Sequence, residues 1–253
     1  MDPDASQPAA AAVELPPAAA VAAVAALGDE HRRRMYEFIR SSPHPVNRDQ
    51  AAAAVGISRK LAAFHLDKLV EVGLLHAGVA GAGEVRRGGR RPKVYWSSGT
   101  EVRVSIPTRC PDLLVGILVD ALDTTGERGE DMVDADDSTD QPIARVAAAA
   151  HRRGAELGAA ERARTRPGRL GSERGLTALD SVLSTLGFEP RRDRPTTLTL
   201  RNCPFRPHAA AAPQLICTLN QALITGLLEG LQADTITATL EPRPAQCCVE
   251  LTG

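Results

Sequence analysis

The apolar positions between residues 47 and 75 repeat with the period of two short helices joined by a tight turn. An Ala-rich first helix is predicted from Asp49 to Val55, and a second helix runs to about Val72. Gly56, in the corner between them, suits the left-handed conformation that ends a helix. Ser58 is a favourable N-cap for the second helix.

The second helix has one apolar face and one polar face. Ala62, Leu66 and Leu69 fall at i, i+4 and i+7, so they are predicted to share a buried stripe. The other face carries Arg59, Lys60, Phe64, His65 and Lys68. This layout indicates a helix-turn-helix, whose second helix enters the major groove of DNA. The alternative is an ordinary helical hairpin with a solvated basic face.

The chain after this helix has the pattern of a β-hairpin with a long loop. Leu74 begins the first strand, and Lys93 to Trp96 is its predicted return strand. The loop between them is rich in glycine and contains Arg86, Arg87, Arg90 and Arg91. Such arginines suit the DNA backbone or minor groove. Residues 18–98 are therefore predicted to form a winged helix-turn-helix domain.

The segments on either side of this domain differ in composition. Residues 1–17 are rich in alanine and proline and are expected to be a disordered tail. Residues 99–141 hold a helix from Arg109 to Thr125, which is either a core helix or a dimerisation helix. An acidic linker or loop follows it, from Glu127 to Asp140.

Residues 142–253 are predicted to form an α+β effector domain in which helices back a small antiparallel sheet. Its expected helices cover Ile143 to Arg164, Gly175 to Leu186 and Gln214 to Leu231. Its expected strands cover Phe188 to Arg191, Thr196 to Arg201, Ile236 to Leu240 and Cys247 to Leu251.

The charge of the chain is uneven, although the net charge is only -1. Residues 29–97 hold 13 Lys and Arg against 7 Asp and Glu, whereas residues 98–141 hold 3 against 11. The basic block coincides with the predicted helix-turn-helix and wing, as a phosphate-binding surface requires. The low aromatic content, 3%, argues against single-strand binding by base stacking. There is no apolar run of membrane-spanning length and no secretory signal, so a cytoplasmic protein is expected.

Four of the five cysteines lie in the last 51 residues. An odd number in a cytosolic setting does not favour a disulfide framework. Alternation along the last strand makes Cys247 the inward residue and puts Cys248 on the opposite face. Cys203 and Cys217 are its predicted neighbours, and thiolates are the preferred ligands of iron–sulfur clusters and structural zinc. Cys248, His208 or a non-protein group would be the fourth ligand; the alternative is four buried, inert thiols.

An enzyme is the third class of function considered, because Cys203 near His208 resembles a thiol nucleophile with a base. No third orienting residue, phosphate loop or carboxylate pair accompanies them. We therefore expect no catalytic activity.

Two stretches resemble a known family. VGISRKLAAFHLDKLVEVGLL and RRGGRRPKVYW resemble bacterial winged-helix repressors of the broad ArsR-like group. NCPF, PQLIC and CCVEL resemble the tail of the iron–sulfur-assembly (Suf operon) repressors and their actinobacterial relatives. The resemblance implies a homodimer on an inverted repeat and an iron–sulfur cluster held by Cys203, Cys217 and Cys247. The chain departs from that pattern at Cys248 and at Arg206-Pro207-His208.

Together these patterns predict a sequence-specific regulator of transcription, most simply a repressor, that binds double-stranded DNA. Its predicted DNA contacts are Ser58, Arg59, Lys60, Phe64, His65, Lys68, Arg86, Arg87, Arg90, Arg91 and Lys93. Its second half is either a redox or iron sensor built on a cluster, or a module that only dimerises or binds a small molecule.

Overall fold

The computed structural model describes residues 15–80, 92–123, 140–243 and 246–253. In these ranges the chain is mixed α+β, as predicted, with nine helices and two small antiparallel sheets. It divides into two compact units, Met1–Val104 and Ser105–Gly253. None of the helices in the described ranges is long and apolar enough to cross a lipid bilayer.

The first unit contains four helices and a three-stranded sheet. In chain order its elements are α1 (Pro17–Ala26), α2 (Glu30–Ser41), β1 (Val46–Asn47), α3 (Arg48–Val55), α4 (Arg59–Glu71), β2 (Leu75–Val79) and β3 (Lys93–Ser97). Strand β3 lies in the centre of the sheet, antiparallel to both of its neighbours. Tyr95 at its midpoint is opposite Val46 on one side and Ala77 on the other.

The local sequence explains where the helices of the first unit begin and end. Asp29 caps α2 by accepting a hydrogen bond from the backbone N–H of Arg32. Asn47 and Gln50 form a reciprocal capping box at the start of α3, which satisfies N–H groups that a helix leaves unpaired. Gly56 then adopts a φ of 77°, and the Ser58 side chain caps α4. The predicted corner and both of its caps are confirmed.

The second unit has five helices and a four-stranded sheet. Its elements are α5 (Pro111–Asp123), α6 (Asp140–Thr165), α7 (Ser172–Thr185), β4 (Pro190–Arg194), β5 (Thr197–Leu200), α8 (His208–Ala211), α9 (Pro213–Leu231), β6 (Thr237–Leu240) and β7 (Val249–Thr252). The strand order is β4-β5-β7-β6, and every pair is antiparallel. The last strand in the chain therefore lies inside the sheet, between β5 and β6.

Helix α5 belongs to the core of the second unit. Leu114, Ile117 and Ala121 are buried in the same cluster as α9 and the sheet. This helix was predicted to be either a core helix or a dimerisation helix, and the structure places one side of it in the core. The opposite side exposes Val115 and Val119.

Helices α6 and α9 pack against each other through four glycines. Gly154 and Gly158 on α6 face Gly226 and Gly230 on α9. A Cβ atom added at any of the four would lie far inside van der Waals contact with a backbone carbonyl oxygen of the other helix. We call this contact the glycine seam. It brings the two backbones closer than any larger residue allows.

Several boundaries differ from the sequence-based expectations. Two short elements were not predicted, β1 and α8, because two and four residues are too few to carry a periodic pattern. The last strand begins at Val249 rather than at Cys247. Leu15, expected in the disordered tail, packs against the core of the first unit. Pro16 caps α1 and Pro17 begins it, so these two residues are not part of a disordered tail either. Residues 1–14, most of the acidic linker and the loop arginines Arg86, Arg87, Arg90 and Arg91 lie outside the described residues.

The glycine seam predicts an unequal response of two helical glycines to alanine. Gly226→Ala should lower the free energy of unfolding by about 3 kcal/mol, since overpacking a close contact costs about 1–3 kcal/mol or more. Gly116→Ala on α5 is the matched control, because a Cβ there meets none of the described atoms within 4 Å. It should be neutral or stabilise the chain by up to about 1 kcal/mol. Urea unfolding of both variants measures the difference, and equal effects would contradict the packing described.

Candidate functional site

The outer face of α4 carries most of the residues predicted to contact DNA. Arg59, Lys60, Phe64 and Lys68 are exposed, while Ala62, Leu66 and Leu69 on the inner face are fully buried. Phe64 is unusual among them, since 55% of this large apolar side chain is exposed. Ser58 is also exposed, but its hydroxyl accepts the hydrogen bond that caps the helix.

Three of the predicted cations already have anionic neighbours. Arg59 pairs with Asp49 on α3 at 2.6 Å, and Lys68 pairs with Glu71 at 2.6 Å. Lys93 on β3 pairs with Asp67 of α4 at 2.7 Å. These pairs are exposed, and exposed ion pairs contribute little to stability, about 0–1 kcal/mol. An anionic ligand can therefore replace these carboxylates with little loss of folding free energy.

The prediction that His65 lies on the outer face is wrong. Only 5% of His65 is exposed, and its ring lies beside that of His31, with centroids 5.9 Å apart. Burial lowers the pKa of His65, and the carboxylate of Asp29, 3.9 Å away, opposes that shift. His65 is three residues after Ala62 and four before Leu69, so helical geometry itself places it in the buried stripe. It cannot contact a ligand of this face.

The second candidate site is a cluster of four cysteines in the second unit. Cys203 follows β5, Cys217 lies in the second turn of α9, and Cys247 and Cys248 immediately precede β7. Cys203, Cys247 and Cys248 are buried, and Cys217 is half-buried. The fold thus brings together the four thiols that the sequence singled out, from three separate segments.

The expected orientation of Cys248 is wrong. Alternation would put Cys247 and Cys248 on opposite faces of a strand, but the strand begins only at Val249. Both side chains are buried, and the Cys248 thiol is within hydrogen-bonding reach of both Cys247 and Cys217.

A cavity of about 160 Å³ lies over three of the thiols. Its lining includes the cysteines 203, 217 and 248 together with Arg206, Arg243 and Gln246. The Arg243 side chain is already paired with Glu250, whereas Arg206 donates a long hydrogen bond, 3.4 Å, to the Gln246 carbonyl and has no ion pair with a described carboxylate. Arg206 is therefore the cation more readily available to a bound anion.

Buried hydrogen bonds hold the Cys203 segment in place. The Asn202 side-chain amide donates to the carbonyl oxygens of Thr108 and Gly187. Arg109 donates to the Asn202 side chain and, at 2.9 Å, to the carbonyl of Cys203. The fifth cysteine, Cys110, is apart from the cluster and donates from its thiol to the Leu186 carbonyl.

Asn220 is a member of the site that the sequence analysis missed. This side chain is fully buried, and its Nδ2 donates to the sulfurs of Cys203 at 3.5 Å and Cys247 at 3.6 Å. Its Oδ1 has no hydrogen-bond partner within the described part of the chain. A polar residue three positions after Cys217, within the apolar stripe of α9, was the signal that could have identified it.

The hydrogen bonds among the thiols and their burial give the four cysteines different pKa values. Hydrogen bonding with Cys247 lowers the pKa of Cys203 to about 6 and that of Cys248 to about 7. The same interactions raise the pKa of Cys247, and burial raises the pKa of Cys217 to about 12. Cys247 has a single thiol hydrogen, so it stabilises one neighbouring thiolate at a time.

Among the residues with described positions, no group of three or more His, Cys, Asp or Glu side chains is placed to hold a single metal ion. His208 is exposed at the first residue of α8 and does not line the cavity. The structure therefore gives no support to His208 as a fourth ligand.

Alkylation at different pH values should separate the cysteines. In the native chain, half-maximal reaction of Cys203 with iodoacetamide is expected near pH 6, since only the thiolate reacts. Cys217 should stay unreacted at pH 8, because its pKa is about 12. Peptide mass spectrometry after timed labelling gives each rate, with the urea-unfolded chain as control. A Cys203 midpoint near the ordinary value of about 8.5 would contradict the assigned hydrogen bonds.

Comparison of the chain with protein-family models, with curated proteins and with solved structures gives no match. The functional argument therefore rests on the residues and on their geometry.

Proposed function

We propose that the first unit binds double-stranded DNA and that the protein regulates transcription, most simply as a repressor. The observation that carries this proposal is the division of α4 into two faces. One face is buried in the core, and the other exposes Arg59, Lys60, Phe64 and Lys68. A helix with one face packed in the core and a basic exposed face suits the major groove.

The order of elements supports a winged helix-turn-helix. A helix, a short strand, two helices joined by a tight turn and a β-hairpin follow one another from α2 to β3. The hairpin connection contains the four arginines of the predicted wing. In this proposal they contact the DNA backbone or minor groove beside the site of α4.

The predicted contact residues Arg59, Lys60, Phe64, Lys68 and Lys93 each have a proposed role. Arg59 and Lys60, in the first turn of the helix, contact base edges or phosphates. Phe64 contacts the methyl group of a thymine, the one apolar group that the major groove offers. Lys68 and Lys93 contact the backbone, where phosphates replace their present carboxylate partners.

A homodimer on an inverted repeat is the proposed binding form. The support is the outer side of α5, where Val115 and Val119 expose about half of their surface. Two copies would bury these side chains, and dimers of helix-turn-helix proteins bind two half-sites related by symmetry.

We propose that the second unit is the sensor and that an iron–sulfur cluster is its candidate cofactor. The chemistry of the donors fits, because three thiols line one cavity and the fourth, Cys247, interacts with two of them, Cys203 and Cys248. The residues that would hold a cluster are drawn from Cys203, Cys217, Cys247 and Cys248, of which all but Cys247 line the cavity. A bound cluster would supply a group whose charge and integrity respond to electrons and oxygen.

Opposite charge changes at one ion pair test the DNA proposal. Arg59→Glu should weaken binding at least tenfold, on the order of 1.4 kcal/mol or more, and lower the slope of log K against log salt by about one unit. Asp49→Asn removes the same ion pair but leaves Arg59 free for phosphate, so it should strengthen binding severalfold. Fluorescence anisotropy with duplexes selected by the wild-type chain from a random pool measures both.

A control variant and a measurement of the number of chains per duplex complete this experiment. Arg153→Glu changes a comparable exposed arginine in the second unit and should leave the affinity unchanged. Sedimentation of the complex should give two chains per duplex. Equal effects of the Arg59 and Asp49 variants would indicate a structural role for their pair, and failure to select any duplex would refute DNA binding.

Anaerobic isolation tests the cluster. Iron and acid-labile sulfide should co-purify with the wild-type chain and with Cys110→Ser, whose sulfur is apart from the cavity. Cys203→Ser and Cys248→Ser should lose both elements. A colourless, iron-free wild-type protein would rule the cluster out and leave the DNA proposal unaffected.

A further inference from the structure

A single side chain holds two sulfurs of the cysteine cluster together. The Asn220 amide nitrogen lies 3.5 Å from the Cys203 sulfur and 3.6 Å from the Cys247 sulfur. The backbone N–H of Cys247 also donates to the carbonyl of Leu200, at 2.9 Å, just before the Cys203 segment. The two cysteines are 44 positions apart in sequence, yet one follows β5 and the other precedes β7, and these two strands are neighbours in the sheet.

The two sulfurs differ in their access to small molecules. Cys203 lines the cavity, beside Arg206, whereas Cys247 does not line it. A reagent small enough for a cavity of about 160 Å³ therefore reaches Cys203, and Cys247 is the thiol behind it. This is the arrangement of an attacking cysteine with a resolving cysteine beside it.

We propose that Cys203 and Cys247 are a thiol–disulfide pair that a small hydroperoxide oxidises. This function does not depend on a bound cluster or on DNA. In the first step the Cys203 thiolate attacks one peroxide oxygen, the O–O bond breaks, and Cys203 becomes a sulfenic acid. The other oxygen leaves as hydroxide or alkoxide and takes a proton from solvent, so the peroxide is reduced to water or an alcohol.

In the second step the Cys247 sulfur attacks the Cys203 sulfur. The S–O bond breaks, the S–S bond forms, and the departing oxygen leaves as water with the proton of the Cys247 thiol. Two electrons have then passed from the two sulfurs to the peroxide. A thiol reductant reverses the change by exchange through a mixed disulfide.

The alternative disulfides within the cluster are less favourable. Cys247 and Cys248 are adjacent in sequence, and a bridge between neighbours requires a strained geometry. Cys217 can reach Cys248, but the two hydrogen bonds of the Asn220 amide go to Cys203 and Cys247. The pairing of Cys203 with Cys247 is the one that a shared hydrogen-bond donor already aligns.

The oxidised state also has a structural consequence. A disulfide sulfur is a poorer acceptor than a thiolate, so Asn220 loses the partners of its Nδ2, while its Oδ1 already has none among the described residues. A fully buried amide without partners is costly, and α9 relaxes by moving this residue. Oxidation at the sulfurs is thereby linked to the position of a helix.

Peroxide treatment of single-cysteine-to-serine variants tests the pair. The full chain is produced in iron-depleted medium, reduced, freed of reductant and treated with a small excess of hydrogen peroxide. Chymotrypsin separates Cys203 from Cys217, because it cuts after Phe205 and Leu215. The wild-type chain should lose two free thiols and yield a peptide that joins Cys203 to the Cys247 segment.

The variants assign the roles. Cys247→Ser should form no such bridge and should accumulate a sulfenic acid on Cys203, which dimedone traps. Cys203→Ser should lose both products, whereas Cys248→Ser and Cys217→Ser should form the bridge as the wild type does. The proposal is overturned if the wild type retains all its thiols, if Cys248→Ser abolishes the bridge, or if dimedone labels another cysteine instead.

Discussion

The contact between α6 and α9 through the glycine seam is the interaction on which the second unit depends. Four glycines let the two backbones approach so closely that carbonyl oxygens of each helix lie against the Cα atoms of the other. Contacts of this kind add weak C–H···O interactions to a large area of dispersion contact. Leu223 and Leu227, whose backbone atoms contact the glycines of α6, are themselves buried.

The seam also determines where the chemistry lies. Helix α9 carries Cys217 and Asn220 in its first half and the glycines 226 and 230 in its second half. Because a helix is stiff over this length, fixing the second half fixes the first. The hydrogen bonds of Asn202 hold the segment of Cys203 independently of α9, and the sheet holds the segment of Cys247 and Cys248 before β7. The helix α9, the hydrogen bonds of Asn202 and the sheet together bring the thiols within hydrogen-bonding distance of one another.

The local patterns in the sequence predicted much of the fold. The corner at Gly56, the cap at Ser58 and the stripe of α4 follow from interactions between residues at most four apart. His65 was assigned to the wrong face because its polar character was given more weight than its position, although the helical period places it beside Leu69. Cys248 was misplaced because the expected strand began two residues too early.

The candidate sites were predictable to different degrees. The exposed cations of α4 follow from periodicity. The ion pairs Arg59–Asp49 and Lys93–Asp67 do not, since these contacts depend on how helices and strands pack. The convergence of the cysteines was expected, but Asn220 was not, because its contacts link segments that are distant in sequence. The glycine seam was also missed, since glycines within helices carry no apolar period.

The most direct test of this account is the alkylation rate of Cys203 in Gly226→Ala, measured under conditions in which that variant is still folded. If the seam positions α9, the added methyl group displaces the helix and weakens the hydrogen bond from Asn220 to Cys203. The account predicts that the rate near neutral pH changes severalfold in Gly226→Ala and not in Gly116→Ala. An unchanged rate in a folded Gly226→Ala protein would contradict the claim that the glycine seam sets the positions of the four cysteines.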